Sequence, residues 1–456
     1  MPNKKKYFGT DGIRGLANEH PMTPEFVTRL AKAAAQALGK DAKKSNARPL
    51  CVIGRDTRIS GGMLEAALVA GLNSMGVDAL LCGILPTPGV ALLTVQHPAS
   101  FGAVVSASHN PYSDNGIKFI GGDGYKLTDE QELQIEALLE TGTAQTPLPL
   151  RGDIGRVNHL PDAAERFISH AVETMQGCRL DGMSIALDNA NGASSHTSTV
   201  VLKRLGAKVS VFHSAPNGVN INFECGCTHP EIIEALVKQT GAQVGVAHDG
   251  DADRLALCDE TGTRLSGDEL IAVAVTAMLR QGMLKKNTAA VTVMSNFGLD
   301  ELITSMGGHV IRTGVGDRYV IAAMREHGLN FGAEESGHVV FSDYATTGDG
   351  LIAALQILKI MAESGKPLSE LRKCLNPFPQ TKRNLRVKEK PPIEELTVVH
   401  QLVRETEEKL GKLGRVLLRY SGTEALIRLL IEGRDPAFIE ARADMIADAI
   451  QARIGA

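Results

Sequence analysis

No apolar run in this chain approaches the ~20 residues that a membrane-spanning helix requires. The opening Lys4-Lys5-Lys6 leads into Tyr7-Phe8-Gly9-Thr10-Asp11 rather than an apolar stretch, so no signal peptide is expected either. A basic excess is missing too: 48 Lys+Arg against 52 Asp+Glu leave a net charge of −4, too balanced for a protein that lives on nucleic-acid phosphates. The seven cysteines are odd in number and scattered, so they form no disulfide framework. Cys225 and Cys227 lie close together, but no second ligand pair sits at zinc spacing. A soluble protein of a reducing cytoplasm is the expectation. Gly365-Lys366 continues into Pro367, which excludes a Walker A loop, and Gly314-x-Gly316 lacks the third glycine of a dinucleotide fingerprint. No G-x-S-x-G elbow surrounds Ser108, which weighs against a hydrolase serine.

What is present is enough apolar material for a packed core. The 456 residues are 43% hydrophobic and 22% charged, which at roughly 150 residues per domain predicts three domains or four small ones. One order of elements recurs. Pro49–Arg55 reads as a buried strand, followed by a helical stretch to Met75, strand Asp78–Cys82, a second helical stretch and strand Phe101–Ser106. The same order returns from residue 182 and again from residue 288. Strands alternating with helices at this spacing predict parallel sheets with right-handed crossovers. Beyond a Pro-marked stretch, helix Ile393–Leu410, strands Arg415–Tyr420 and Ala425–Glu432 and helix Pro436–Ile454 predict a smaller α+β domain.

Polar clusters fall where the third strand of each repeat ends: Ser106–Pro111, His248–Arg254 and Glu334–His338. Ligands of open α/β sheets bind beyond the carboxyl ends of strands, so three such ends predict one cleft lined by three domains. Asp249, Asp251 and Asp253 alternate, and in an extended segment would point their carboxylates to one side. Three like charges need a cation, and a hard divalent ion takes oxygen ligands of this kind. Their spacing with Glu260 imitates an EF-hand, but Arg254 stands where that turn needs glycine and both flanks read as strands, so the EF-hand is rejected.

Ser108, in Ala107-Ser108-His109-Asn110-Pro111, reads alone as a polar turn, or as a hydroxyl able to carry a phosphoryl group beside a cation. Lys118 reads as a surface lysine or as a group that balances proton and charge. In the last domain, Arg419-Tyr420-Ser421-Gly422-Thr423-Glu424 and Arg428 read either as a polar hairpin or as a phosphate cradle of hydroxyls, backbone N–H groups and guanidiniums.

Together with Phe8-Gly9-Thr10-Asp11-Gly12-Ile13-Arg14-Gly15, these motifs stand in the order seen in the α-D-phosphohexomutase superfamily, and the chain resembles that superfamily over essentially its whole length. The opening motif and Thr346-Thr347-Gly348-Asp349-Gly350 resemble the branch that acts on glucosamine phosphates. The resemblance implies three homologous α/β domains with mostly parallel sheets plus a smaller C-terminal α+β domain around a central cleft, with bounds at 1–155, 156–257, 258–373 and 374–456. It implies that Ser108 is a phosphoserine whose phosphate, with Asp249, Asp251 and Asp253, holds Mg²⁺. Lys118 and His338 then serve proton transfer, and Arg14 and Arg254 face the moving phosphoryl. Glu334 and Ser336 contact sugar hydroxyls, and Asp317 and Arg318 lie on a third-domain loop at the substrate. Arg419, Ser421, Gly422, Thr423 and Arg428 clamp the phosphate that is not transferred.

The implied reaction interconverts glucosamine 6-phosphate and glucosamine 1-phosphate through a 1,6-bisphosphate, upstream of UDP-N-acetylglucosamine and cell-wall precursors. Glucosamine or glucose 1,6-bisphosphate would act as activator. The implied partner is a small phosphosugar, with neither nucleic acid nor membrane, and there is room for a homodimer. A sister mutase for glucose or mannose phosphates and a non-catalytic phosphosugar-binding protein are the alternatives. Ala333, Glu335, Tyr420 and Ala425 depart from residues common in the family, which touches sugar preference rather than reaction class.

Overall fold

The computed structural model describes residues 5–39, 48–142, 148–421 and 424–456. It divides into two compact units, Met1–Met294 with Gly308–Cys374, and Ser295–Gly307 with Leu375–Ala456. Among the described residues no helix is long and apolar enough to cross a membrane.

The first unit carries three sheets. The strands of the first are β1 (Ile13–Leu16), β2 (Leu50–Arg55), β3 (Asp78–Ile84), β4 (Phe101–Val105), β5 (Asp114–Gly121) and β6 (Val157–His159). Their order is β1-β5-β4-β2-β3-β6, with β2 parallel to both β3 and β4, and β5 antiparallel to β4. The second sheet contains β7 (Ser184–Asp188), β8 (Lys208–Phe212), β9 (Val244–His248) and β10 (Leu255–Asp259), in the order β10-β9-β7-β8. The third contains β11 (Thr288–Thr292), β12 (His309–Thr313), β13 (Phe331–Ala333) and β14 (Val339–Phe341), in the order β12-β11-β13-β14.

One plan is thus used three times. A central strand lies between two parallel neighbours, and the third strand folds back through a loop into an antiparallel fourth. The returning strands β5, β10 and β14 make each sheet mixed, where the sequence pattern showed only the parallel part. β4, β9 and β11 are buried at every residue, as strands covered on both faces must be, which is why they read as unbroken apolar runs. The three polar clusters occupy the loops between third and fourth strands. β6 lies beyond residue 155 yet pairs with β3 in the first sheet, and residue 257 lies inside β10.

Capping fixes where the helices begin. Thr128 with Gln131 and Ser266 with Glu269 form reciprocal capping boxes at helices Asp129–Thr141 and Gly267–Arg280. Each cap contributes about 1 kcal/mol.

The second unit is built on an antiparallel sheet of β15 (Gln380–Arg386), β16 (Gly414–Tyr420) and β17 (Leu426–Gly433), in the order β15-β17-β16. Helices Thr397–Leu410 and Pro436–Ile454 cover its apolar face around Val387, Val399, Ile427, Ile431 and Ile446. Asp435 caps the last helix, and Pro436 takes the first-turn position where no N–H is needed. Helix Gly298–Ser305 follows β11 in the chain but groups with this unit, where Asn296 exchanges hydrogen bonds with the Phe378 backbone at 2.9 and 3.0 Å.

Candidate active site

The loop after β4 is drawn so tightly that Ser108 takes a left-handed backbone, φ +52°, a conformation costly for a residue with a side chain. Its N–H donates to Ser106 Oγ at 2.9 Å, and Ser106 Oγ donates to Asp56 Oδ2 at 2.6 Å. Ser108 is buried, and its Oγ donates to Asp249 Oδ2 at 2.6 Å. The first and second modules meet at this bond.

Asp249, Asp251 and Asp253 are all buried, and each offers a carboxylate oxygen within 4.8 Å of the others'. The extended geometry expected of this segment is not what brings them together. The chain turns: Ala252 N–H donates to the Asp249 carbonyl at 3.1 Å, with Ala252 itself left-handed at φ +58°. Burial, reinforced by Asp253 and Asp251, pushes the Asp249 carboxyl well above the usual carboxylate range. Burial acts the same way on Asp251, but Lys118 overrides it and holds that group below its usual range. Asp251 Oδ1 and Asp253 Oδ1 are buried with no hydrogen-bond partner. Orphaned carboxylate oxygens in such a cluster are unstable unless a cation takes them. Three hard carboxylates beside a serine oxygen fit a divalent ion of the magnesium type.

Lys118, on β5, is buried with its Nζ 2.8 Å from Asp251 Oδ2 and 2.7 Å from Asp11 Oδ2. Burial opposes its charge, but Asp11, Asp251 and Asp253 outweigh that and raise it well above an ordinary lysine. Lys126 Nζ in turn bonds Asp11 Oδ1 at 2.6 Å and also Asp317. Asp317 Oδ2 lies 3.3 Å from His338 Nε2, and Asp253 Oδ2 lies 4.0 Å from the same nitrogen. Alternating charges therefore link the aspartate cluster to His338. Asp11, Lys126 and Thr87, whose Oγ1 donates to Asp251 Oδ2 at 2.6 Å, are members that the sequence did not single out.

A cleft of about 490 Å³ opens against this network. Arg14, His109, Lys126, Asp253 and Arg254 line it together with the third-module residues Asp317, Glu334, Ser336 and His338. Arg14 Nε and Arg254 Nε are buried without partners, as expected of guanidiniums arranged for an anionic ligand. Glu334 Oε1 accepts from Gly316 N–H at 3.0 Å, and burial raises its carboxyl above the ordinary value. Burial, helped by Arg254 and Arg14, pushes His109 down to about 4, so this imidazole is neutral at pH 7.

Arg318 is engaged elsewhere. Although it follows Asp317, its guanidinium bonds Glu132 Oε1 at 2.9 Å and Asp129, on the helix Asp129–Thr141, and it does not line the cleft. Successive residues of a helix point about 100° apart, and Asp317 and Arg318, at the start of helix Asp317–His327, take different partners here.

A second group of potential ligands, Asp188, His213 and Cys225, is accounted for by local structure. Ala190 N–H and Gly226 N–H occupy the two Asp188 oxygens at 2.8 and 2.9 Å, which fastens two turns.

In the second unit, Arg419 and Arg428 are directly opposed on β16 and β17. Like charges so placed destabilise a sheet unless an anion sits between or beside them. Arg428 Nη2 bonds Glu424 at 2.8 Å, while its Nε is buried without a partner. Lys390, absent from the sequence reading, donates to the Ser421 carbonyl at 2.6 Å. Gly422 and Thr423 lie outside the described residues.

Four family models of the phosphoglucomutase/phosphomannomutase type match the chain: alpha/beta/alpha domain I at residues 5–146, domain II at 165–262, domain III at 266–378 and the C-terminal domain at 383–449. The phosphoglucosamine mutase of Pelobacter propionicus is 48% identical over 452 residues, 99% of each chain. That of Syntrophotalea carbinolica is 48% identical over 453 residues, 99% of this chain and 98% of the other. Among solved structures, a phosphoglucomutase/phosphomannomutase family protein from Burkholderia thailandensis superposes with a TM-score of 0.79 at 23% identity, covering 97% of each chain, which speaks to the fold. A phosphomannomutase-type structure from Thermus thermophilus gives 0.74 at 22% identity, covering 97% of this chain and 98% of that one. The chain belongs to the phosphoglucomutase/phosphomannomutase family and, within it, to the phosphoglucosamine mutases.

Proposed function

We propose that this enzyme interconverts glucosamine 6-phosphate and glucosamine 1-phosphate, with Ser108 as the phosphoryl carrier. The observation that carries the reading is Ser108 Oγ at 2.6 Å from a buried three-aspartate cluster, between two loops that equivalent strand ends supply. In the first half-reaction the 1-hydroxyl of glucosamine 6-phosphate attacks the phosphorus on Ser108. The new O1–P bond forms, the P–Oγ bond breaks, and the hydroxyl proton is lost. The product is glucosamine 1,6-bisphosphate. In the second half-reaction Ser108 Oγ attacks the phosphorus at the 6-position: the new Oγ–P bond forms, the P–O6 bond breaks, O6 takes up a proton, and glucosamine 1-phosphate leaves with the phosphoserine restored.

His338 suits the role of proton acceptor, because it lines the cleft and its Nε2 is buried without a hydrogen-bond partner. Lys118, held cationic by its carboxylates, suits charge balance and proton donation rather than proton abstraction. Arg14 and Arg254 neutralise the moving phosphoryl, the interaction from which most phosphoryl-transfer catalysis arises. Asp249, Asp251 and Asp253, with an oxygen on Ser108, would hold Mg²⁺. When bound, that ion withdraws charge from the phosphoryl oxygens.

Glu334 and Ser336 face the sugar, and Arg419, Ser421 and Arg428 form a cradle suited to the phosphate that stays. Glucosamine or glucose 1,6-bisphosphate primes the serine. Phosphorus NMR of the protein with Mg²⁺, a trace of bisphosphate and glucosamine, glucose or mannose 6-phosphate tests the reading. Conversion fastest on the glucosamine ester is expected. Faster turnover of glucose or mannose esters would reassign the substrate, and no conversion of any would leave a binding protein.

A further inference from the structure

The carbonyl oxygens of Ser108 and Asn110 are each capped twice. Arg58 Nη2 donates to them at 2.9 and 2.8 Å, and Asn222 Nδ2 donates to the same two at 2.8 and 3.0 Å. Arg58 belongs to the first module, and its side chain is fully buried against Asp56 at 2.9 Å. Asn222 comes from the second module, from the segment between β8 and β9. It is itself left-handed, φ +58°, and buried. Gly250, inside the aspartate turn, completes the contact: a Cβ there would lie 2.6 Å from the Ser108 carbonyl and 2.8 Å from Asn222 Nδ2. The serine loop, the aspartate turn and the Asn222 segment are thus pressed together with no room for a side chain.

Resting on the phosphoserine reading above, we propose that Asn222 is a positioning residue for phosphoryl transfer. From the second module it holds the left-handed Ser108 loop in register with the aspartates on which Ser108 Oγ depends. Two functions follow from the geometry. The amide holds Ser108 in its strained conformation from the second module, while Arg58 grips the same two carbonyls from within Ser108's own module. It also ties the serine to the module that carries Asp249, so that Oγ and the carboxylates move as one body. A serine that must give its phosphoryl to one end of a sugar and take it back from the other depends on that register twice per turnover, and misplacement of about 1 Å costs roughly a hundredfold in rate.

Two substitutions test this. Asn222→Asp keeps the shape and the tolerance for a left-handed backbone, but sets a carboxylate oxygen against two carbonyls. Asn222→Gly keeps the backbone conformation and removes the amide. Each protein is loaded with glucose 1,6-bisphosphate, the phosphoryl on Ser108 is counted by peptide mass spectrometry, and turnover of glucosamine 6-phosphate is measured per loaded serine. Expected is a loss of roughly ten- to a hundredfold in kcat per loaded serine, with KM within about twofold of the parent. A residue that merely supports the fold would lower the thermal midpoint and the loaded fraction yet leave kcat per loaded serine intact. That result overturns the proposal, as does a loss that resides in KM. If the parent turned over no hexose phosphate the mutase reading would fall, and the rate of Ser108 loading would then decide: slower in both variants supports the clamp, equal overturns it. A parent that neither turns over nor loads overturns both.

Discussion

At Gly348 a single methyl group decides where His338 can sit. A Cβ at that position would come within 2.3 Å of both Cε1 and Nε2 of the ring, so the Thr-Thr-Gly-Asp-Gly motif owes its first glycine to a histidine packed close against the backbone. Gly348→Ala is expected to leave a folded protein, since overpacking costs about 1–3 kcal/mol, and to lower kcat roughly tenfold or more by displacing the ring from Asp317. Steady-state kinetics beside a melting curve check this; an unchanged kcat would remove His338 from the proton path. The next residue, Asp349, caps helix Gly350–Ser364 through Oδ1, and its Oδ2 is buried and unpartnered. Burial raises its carboxyl to about 7. A folded-state value above the unfolded one means the native state binds the extra proton. The contribution of Asp349 to stability is therefore present at low pH and lost as pH rises from about 4 towards 7. Asn caps equally well. In the metal-free protein Asp349→Asn should flatten that fall, read as the difference in thermal midpoint between pH 5 and pH 8. An identical pH slope in both proteins would contradict the assignment.

Among the elements, the antiparallel pair β16 and β17 carries the sharpest consequence. Arg419 and Arg428 oppose each other across it, a placement that costs stability and makes sense beside a phosphate. Arg419→Ala and Arg428→Ala should each raise KM about ten- to a hundredfold, the equivalent of a charge-assisted contact of roughly 1.5–3 kcal/mol, and release more bisphosphate during turnover. Chromatographic assay of free bisphosphate checks the second part, and unchanged KM with unchanged release would exclude this hairpin as the clamp. The same scale shows what was legible in the chain. β4 and β9 announce themselves because both faces are buried, and the clusters at their ends stand out against that apolar background. The returning strand β5 is buried almost throughout, yet Lys118, paired with Asp11 and Asp251, and Asn115, bonded to Ser60 Oγ, interrupt its apolar run. β15 is half exposed and rich in Lys, Arg, Asn and Gln, so no apolar run marks it as a strand. Arg58 and Asn222 were invisible for a different reason. They bind backbone carbonyls distant in the chain, and nothing in their own neighbourhoods marks them.

For the whole molecule, one plan repeated three times turns a local rule into an active site. Each of the three sheets folds its third strand back through a polar loop, and those loops supply Ser108, the three buried aspartates and a segment of the cleft lining with Glu334, Ser336 and His338. Charge compensation then couples them, since Lys118 and Lys126 each join carboxylates from different modules. Buried pairs of this kind cost about 3–5 kcal/mol when one partner is removed, so the same contacts that set the chemistry hold the modules together. In the proposed mechanism this arrangement serves a phosphoryl group that rests on Ser108 and leaves it once per turnover. The most direct test loads the serine with labelled bisphosphate, removes the excess, and mixes the enzyme with glucosamine 6-phosphate and Mg²⁺ in a quenched-flow instrument. The account predicts label on the Ser108 peptide at time zero and its transfer to sugar at a rate no slower than kcat. Label found elsewhere in the chain, or retained on Ser108 while sugar phosphates interconvert, would contradict it.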